Sequence, residues 1–141
     1  MTCRAYLLLA ILGAGCGGSS PSGPASPEFQ AVQAIFDAHC VGCHNTDSGG
    51  LTPAALRGYP ALPLTAGKSH QALVNQPAHE VCGGTLVVPG DSANSYLQHK
   101  LVDPTPCEGG RMPIGEAIIL QPLDSDQMAT IDAWIAAGAP E

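Results

Sequence analysis

Basic residues are scarce in this sequence. Lysine and arginine together number 5 against 12 acidic residues, which gives a formal net charge of −7 over 141 residues. A protein that grips phosphates needs a basic face, so this balance argues against nucleic acid as a partner. An acidic surface instead suits a complementary, basic protein partner.

Aromatic side chains are equally few, at 4% of the chain, and no segment shows a sustained alternation of apolar and polar residues. The missing alternation argues against a fold built around a sheet and predicts an all-α protein. The length allows one domain. Because a loop-rich domain with so few large side chains has little to fill its centre, a large apolar cofactor there would supply what the chain lacks.

The N-terminal apolar run, residues 5–14, is too short to span a bilayer and follows a single basic residue, Arg4. This pattern is typical of an export signal. Small residues then lead to Cys16, which resembles a bacterial lipoprotein signal, in which the cysteine is lipidated and becomes the first residue. We therefore expect residues 1–15 to be a lipoprotein signal peptide, with an ordinary secretory signal as the alternative.

A segment of nearly pure Gly, Ser and Pro follows, over residues 16–26. Such a composition cannot bury a core and predicts a flexible tether. A lipid on Cys16 would hold the remaining domain, residues 27–141, on the periplasmic side of a bacterial membrane.

Helix signals frame this domain at both ends. Ser26 followed by Pro27 predicts a capped start, and apolar residues at helical spacing extend the first helix over 27–39. Acidic residues from Asp124 predict the start of a last helix, and Gly138 predicts its end. Gly and Pro recur between the two, so only short helices fit there, at 53–57, 69–75 and 92–101.

The first helix runs directly into HCVGCH, residues 39–44. A cysteine pair at this spacing occurs as a redox dithiol, half of a zinc site, a local disulfide or the attachment point of a c-type haem. Thioredoxin-like dithiols follow a strand, whereas this pair follows a helix. A zinc site here would need Cys82 or Cys107 as a further ligand, and the sequence contains no second metal-binding motif that would supply it. A disulfide across so short a loop stabilises little.

Covalent haem accounts for the whole motif. Two thiols at this spacing add to the two vinyl groups on one edge of the porphyrin, and the next residue is carried beneath the ring, where an imidazole reaches the iron. An export signal upstream agrees, because this attachment takes place outside the cytoplasm. His39, on the other side of the pair, is expected to be solvated or helix-terminal.

From about residue 27 to residue 140 the chain resembles c-type cytochromes, most closely the small class I-like monohaem domains of exported bacterial proteins. The likeness rests on a first helix ending in CxxCH, GDxxNSYLxxKL at 90–101, Met112-Pro113 and a last helix with IxxWIxxGAP. It implies an all-α, cytochrome c-like domain whose N- and C-terminal helices pack against each other around one haem c, with a loop-rich middle.

The resemblance also implies roles for individual residues. Cys40 and Cys43 would hold the haem, with His44 as the proximal and Met112 as the distal iron ligand. The first and last helices would cross where Phe36 meets Trp134. The expected pocket lining is Leu51, Tyr96, Leu97 and Trp134, for which plain core is the alternative. Rival sixth ligands, each more typical of a surface histidine, are His70, His79 and His99.

Cys82 and Cys107 are left over, and an exported domain is expected to pair them. In the chain-entropy model such a bridge contributes about 3 kcal/mol. It would also hold the segment that precedes Met112.

The predicted function is that of a tethered carrier of single electrons rather than an enzyme. A haem with both axial positions filled offers no site for a substrate, and a thioether ligand raises the reduction potential. Redox partners would dock through the acidic surface. The alternatives are a haem-based sensor whose Met112 is displaced by a small ligand, and an accessory haem domain.

Overall fold

The computed structural model describes residues 25–45, 61–79, 82–107, 109–114 and 121–141. Within these ranges the chain forms helices and isolated β-bridges but no strand, which confirms the all-α prediction. No helix in this described part is long and apolar enough to cross a membrane. The predicted leader, most of the tether and the predicted helix at 53–57 lie outside it. The described residues contain four helices, which are α1 (Pro27–His39), α2 (Ser69–Leu73), α3 (Tyr96–Val102) and α4 (Ser125–Ala136).

Helix α1 begins and ends where the sequence predicts. The Ser26 hydroxyl accepts a hydrogen bond from the Phe29 amide at 3.1 Å, which satisfies one of the free donors of the first turn. Its buried side chains recur at helical spacing and form one face. They are Phe29, Val32, Ile35 and Phe36.

Helix α4 begins with a capping box. The Asp124 carboxylate accepts from the amides of Asp126 and Gln127, and the Gln127 side chain accepts from the Asp124 amide. The helix ends before Gly138, whose φ of 98° lies in the region that glycine occupies without strain. Ile131, Trp134 and Ile135 form its buried face, as the sequence predicts, and Met128 packs against the same core.

The two long helices pack against each other in antiparallel orientation. At one end the Gln127 side-chain amide and the His39 imidazole lie 2.9 Å apart. At the other end the rings of Phe29 and Trp134 have centroids 5.4 Å apart. The sequence predicts this pairing, but it names Phe36 as the partner of Trp134. Phe36 is buried in the same core two turns further along α1, and the ring that contacts Trp134 is Phe29.

The segment after α4 folds back onto the core. The Trp134 indole donates to the Pro140 carbonyl at 2.8 Å, and the His70 imidazole bonds the Ala139 carbonyl at 2.9 Å. Ala139 is itself buried. This segment therefore joins α4 to α2, which carries His70.

Two short helices differ from their predicted bounds. Helix α3 begins at Tyr96 rather than at residue 92, because the Asp91 carboxylate accepts from the Asn94 amide and closes a turn there. The buried Ser95 hydroxyl then donates to the Asp91 carbonyl at 2.8 Å. Helix α2 ends at Leu73 rather than at residue 75, because Val74 is extended and bridges to Val87.

Candidate haem attachment site

The candidate site begins in the turn that follows α1. The amides of Cys43 and His44 both donate to the Cys40 carbonyl, at 3.0 and 2.8 Å. Cys40 is half-buried and packs against the core, whereas Cys43 is exposed, and neither is in a disulfide. A Cβ on Gly42 would meet no atom within 4 Å. One turn at the end of a buried helix thus presents two thiols and an imidazole, with open space beside Gly42.

The environment of Cys40 does not suit a redox dithiol. Burial raises the pKa of the Cys40 thiol to about 11, and the neighbouring Cys43 adds to that shift. Reactive dithiols need the opposite, because the thiolate is the nucleophile. The position of this pair after a helix, seen already in the sequence, leads to the same conclusion.

The His44 imidazole is half-buried and hydrogen-bonded to the backbone. Burial lowers the pKa of His44, a hydrogen bond to the Leu62 carbonyl opposes that shift, and the nearby Lys100 ammonium adds to it. The Leu64 amide in turn donates to the His44 carbonyl at 2.8 Å, which ties the segment 62–64 to the turn. A histidine that binds a metal uses the neutral form and donates its other N–H in this way, often to a backbone carbonyl.

Met112 lies in a loop beside the end of α3. Its amide donates to the Lys100 carbonyl at 2.8 Å, and its half-buried side chain packs against the core. The Lys100 ammonium is also the charge that lowers the pKa of His44. The Lys100 backbone thus bonds the predicted distal ligand, and the Lys100 charge acts on the predicted proximal one. Arg111, next to Met112, is exposed, as expected of a surface charge.

The predicted lining residues have different surroundings. Leu97 is half-buried against the core, and the Tyr96 hydroxyl lies 3.3 Å from the Cys82 sulfur. Trp134 contacts Phe29, near the start of α1, whereas Cys40 follows its end. The assignment of all three to a haem pocket stays a prediction. Leu51, the fourth, lies outside the described residues.

Histidines considered as rival ligands have partners elsewhere. His70 bonds the Ala139 carbonyl and lies 3.8 Å from the Glu141 carboxylate. His99 bonds the Ala93 carbonyl at 3.1 Å. His79 is half-buried in the middle segment. His39 ends α1 and bonds Gln127, in agreement with its predicted helix-terminal position.

The predicted bridge between Cys82 and Cys107 is confirmed. The two residues are 25 positions apart in sequence, and their Cα atoms lie 5.6 Å apart with the sulfurs bonded. This pairing consumes both of the cysteines that could have completed a zinc site at Cys40 and Cys43.

A pocket of about 200 Å³ lies beside this disulfide. The sequence does not predict it. Two stretches of the chain, 82–85 and 94–99, form it, and their residues match no recognisable motif. They are Cys82, Gly83, Gly84, Thr85, Asn94, Tyr96 and His99.

In comparisons with known proteins, no family model, curated sequence or solved structure matches this chain significantly. The functional interpretation therefore rests on the chain's own residues.

Proposed function

We propose that this chain is a monohaem c-type cytochrome domain that carries single electrons. Cys40 and Cys43 would hold the haem through thioether bonds, and His44 and Met112 would be the axial ligands. The observation that carries the proposal is the turn after α1, which presents two cysteines outside any disulfide and, directly after them, the imidazole of His44. A histidine that binds a metal often donates its other N–H to a backbone carbonyl, and the Leu62 backbone is the partner here.

The donor set fits such a group. Both thiols are outside any disulfide, and the thioether comes from a separate segment next to α3. When bound, the haem supplies an iron that gains or loses one electron, with the thioether favouring the reduced state. The protein's part is to hold the ligands: the Leu62 carbonyl orients His44, and the Lys100 carbonyl fixes the Met112 backbone.

A tethered position would put this carrier among other redox proteins. The export signal, the lipid anchor at Cys16 and the tether would keep the domain at the periplasmic side of a membrane. Its net charge of −7 would favour partners with a basic docking face, and the exchange rate would fall as salt screens the attraction.

The test uses protein exported by a host that attaches haem. Acid–acetone extraction followed by mass measurement should leave haem on the wild type, and the apo mass would refute attachment. Ferric wild type should show the weak near-infrared sulfur-to-iron band, and its ferrous form should resist carbon monoxide.

Methionine variants then separate a carrier from a sensor. Met112→Ala should keep the haem, lose the near-infrared band and admit carbon monoxide. Met128→Ala is the matched control, because Met128 packs against the core and should leave the band in place. Carbon monoxide binding by the wild type would favour a sensor, and an unchanged spectrum in Met112→Ala would move the sixth ligand to another residue.

A further inference from the structure

The disulfide between Cys82 and Cys107 has two unequal sulfurs. Cys107 is exposed, whereas Cys82 is half-buried and lines the pocket of about 200 Å³. The Tyr96 hydroxyl lies 3.3 Å from the Cys82 sulfur. Because a disulfide sulfur carries no hydrogen, the tyrosine is the donor in this contact. The surroundings therefore favour negative charge on Cys82 and give access to Cys107.

The same disulfide closes the loop that carries Met112. The chain leaves α3 after Val102, is bonded to Cys82 at Cys107, and returns to α3 where the Met112 amide donates to the Lys100 carbonyl at 2.8 Å. Cys82 belongs to a segment that is itself bonded to the start of α3, since the Tyr96 amide donates to the Thr85 carbonyl at 2.9 Å. The disulfide and one hydrogen bond thus fix the loop to α3.

We propose that this disulfide is a site of thiol–disulfide exchange with dithiol reductants, in which Cys107 is attacked, Cys82 leaves, and the Met112 loop is released. A thiolate of the reductant bonds to the Cys107 sulfur, and the bond between the two cysteine sulfurs breaks. Cys82 departs with that electron pair as a thiolate. In this mixed disulfide one sulfur belongs to the reductant and the other to Cys107. The second thiolate of the reductant then attacks the reductant sulfur, which closes the reductant's own disulfide and releases Cys107 as a thiolate.

Charge and atoms balance over these two steps. The dithiol is oxidised to a disulfide by two electrons and gives up two protons, and the cystine is reduced to two thiols that take up two protons. Exchange is faster when the leaving thiolate is stabilised and the attacked sulfur is accessible. Tyr96 supplies the first condition through a hydrogen bond to the departing sulfur, and the pocket gives that sulfur a polar surrounding from Thr85, Asn94 and His99.

Opening the bridge removes the covalent tie of this loop to Cys82 and leaves the Met112 amide bond to Lys100 and the packing of the Met112 side chain. If Met112 is an iron ligand, as in the proposed function on which this part rests, reduction of the disulfide weakens ligation and exposes the iron. The exchange itself does not depend on haem, so the two proposals can fail separately.

The exchange is tested on the full chain as exported. Brief treatment with glutathione, an acid quench and peptide mass spectrometry should locate the mixed disulfide on Cys107. Tyr96→Phe should slow reduction by dithiothreitol about fivefold, the effect of a single hydrogen bond. Thr130→Val is the control, because it removes a hydroxyl on α4 that is not part of the pocket, and it should react within about twofold of the wild type.

Loop release is measured by hydrogen exchange. After reduction the Met112 amide should lose protection, while amides of α1 and α4 keep theirs and so exclude global unfolding. Glutathione on Cys82, an unreactive bridge, an equal or faster rate in Tyr96→Phe, or a Met112 amide that stays protected would each overturn the proposal. Carbon monoxide binding by the reduced protein reports separately on the iron, and a protein without haem would refute only the proposed function.

Discussion

The indole N–H of Trp134 donates a hydrogen bond to the carbonyl oxygen of Pro140 at 2.8 Å, while the ring is buried against Phe29. Trp134→Phe removes the donor, leaves the carbonyl without it and opens space in the core. We expect the free energy of unfolding to fall by about 1–3 kcal/mol. Urea unfolding followed by circular dichroism measures this, because the substitution removes the single tryptophan of the chain.

Two further variants calibrate that result. Trp134→Ala should cost about 3–5 kcal/mol, as for other large aromatic truncations in cores. Val102→Ala should change the free energy of unfolding by less than about 0.5 kcal/mol, because this side chain is 54% exposed. A Trp134→Phe protein as stable as the wild type would show that the bond to Pro140 contributes nothing.

Asp91 makes stability depend on pH at the acidic end. Hydrogen bonds from the Asn94 side chain and backbone lower the pKa of Asp91 from its ordinary value of 3.8. A carboxylate with a depressed folded pKa stabilises the protein above its unfolded pKa, and the contribution is lost as pH falls through the folded value. Asp91→Asn should therefore flatten the fall in melting temperature below about pH 4. Parallel melting curves for the two proteins would contradict this role.

The two motif cysteines should differ in reactivity before haem is attached. Burial raises the pKa of Cys40 to about 11, and Cys43 is exposed. Iodoacetamide near pH 8 should therefore modify Cys43 first, with the Cys40 rate still rising towards pH 11. Peptide mass spectrometry over time distinguishes the sites, and Cys43→Ser shows whether Cys40 reacts alone. Equal rates at both cysteines would be inconsistent with the described burial.

Membrane attachment is expected to depend on Cys16, the residue directly after the predicted leader. Cys16→Ser removes the acceptor for lipid, so the protein should move from the membrane fraction to the soluble exported fraction or remain unprocessed. Fractionation with detection by mass measures both the partition and the processing. Cys3→Ser lies inside the predicted leader and serves as the control, with partition unchanged. A wild type found free in the exported fraction would rule out the anchor.

Local signals predict more of this molecule than long-range contacts do. Helix α1 lies where Ser26 and Pro27 predict it, because a cap and a first-turn proline act within a few residues. Helix α3 begins later than predicted, because Asp91 uses its carboxylate for a turn instead of a helix cap. An aspartate carboxylate can either close a turn or cap a helix, and the sequence does not show which role it takes.

The candidate site likewise has some features that the sequence predicts and others that it does not. Cysteine spacing and the following His44 predict a candidate attachment turn from sequence alone, and the pairing of Cys82 with Cys107 follows from counting cysteines. The contact of Trp134 with Phe29 does not, because the relative register of two helices far apart in sequence depends on their packing. The hydrogen bond from His44 to the Leu62 backbone cannot be predicted from the sequence for the same reason.

The pairing of α1 with α4 sets an order of events during synthesis. His39 and Gln127 are 88 positions apart, and α1 has only 13 residues, so it is marginal as a helix until α4 has left the ribosome. Closing so distant a contact is slow compared with forming local turns. The cysteine pair is therefore carried on an open nascent chain for most of its synthesis. Under the proposed function, an export channel would meet that chain before its core can close, and both thiols would still be accessible when haem is attached.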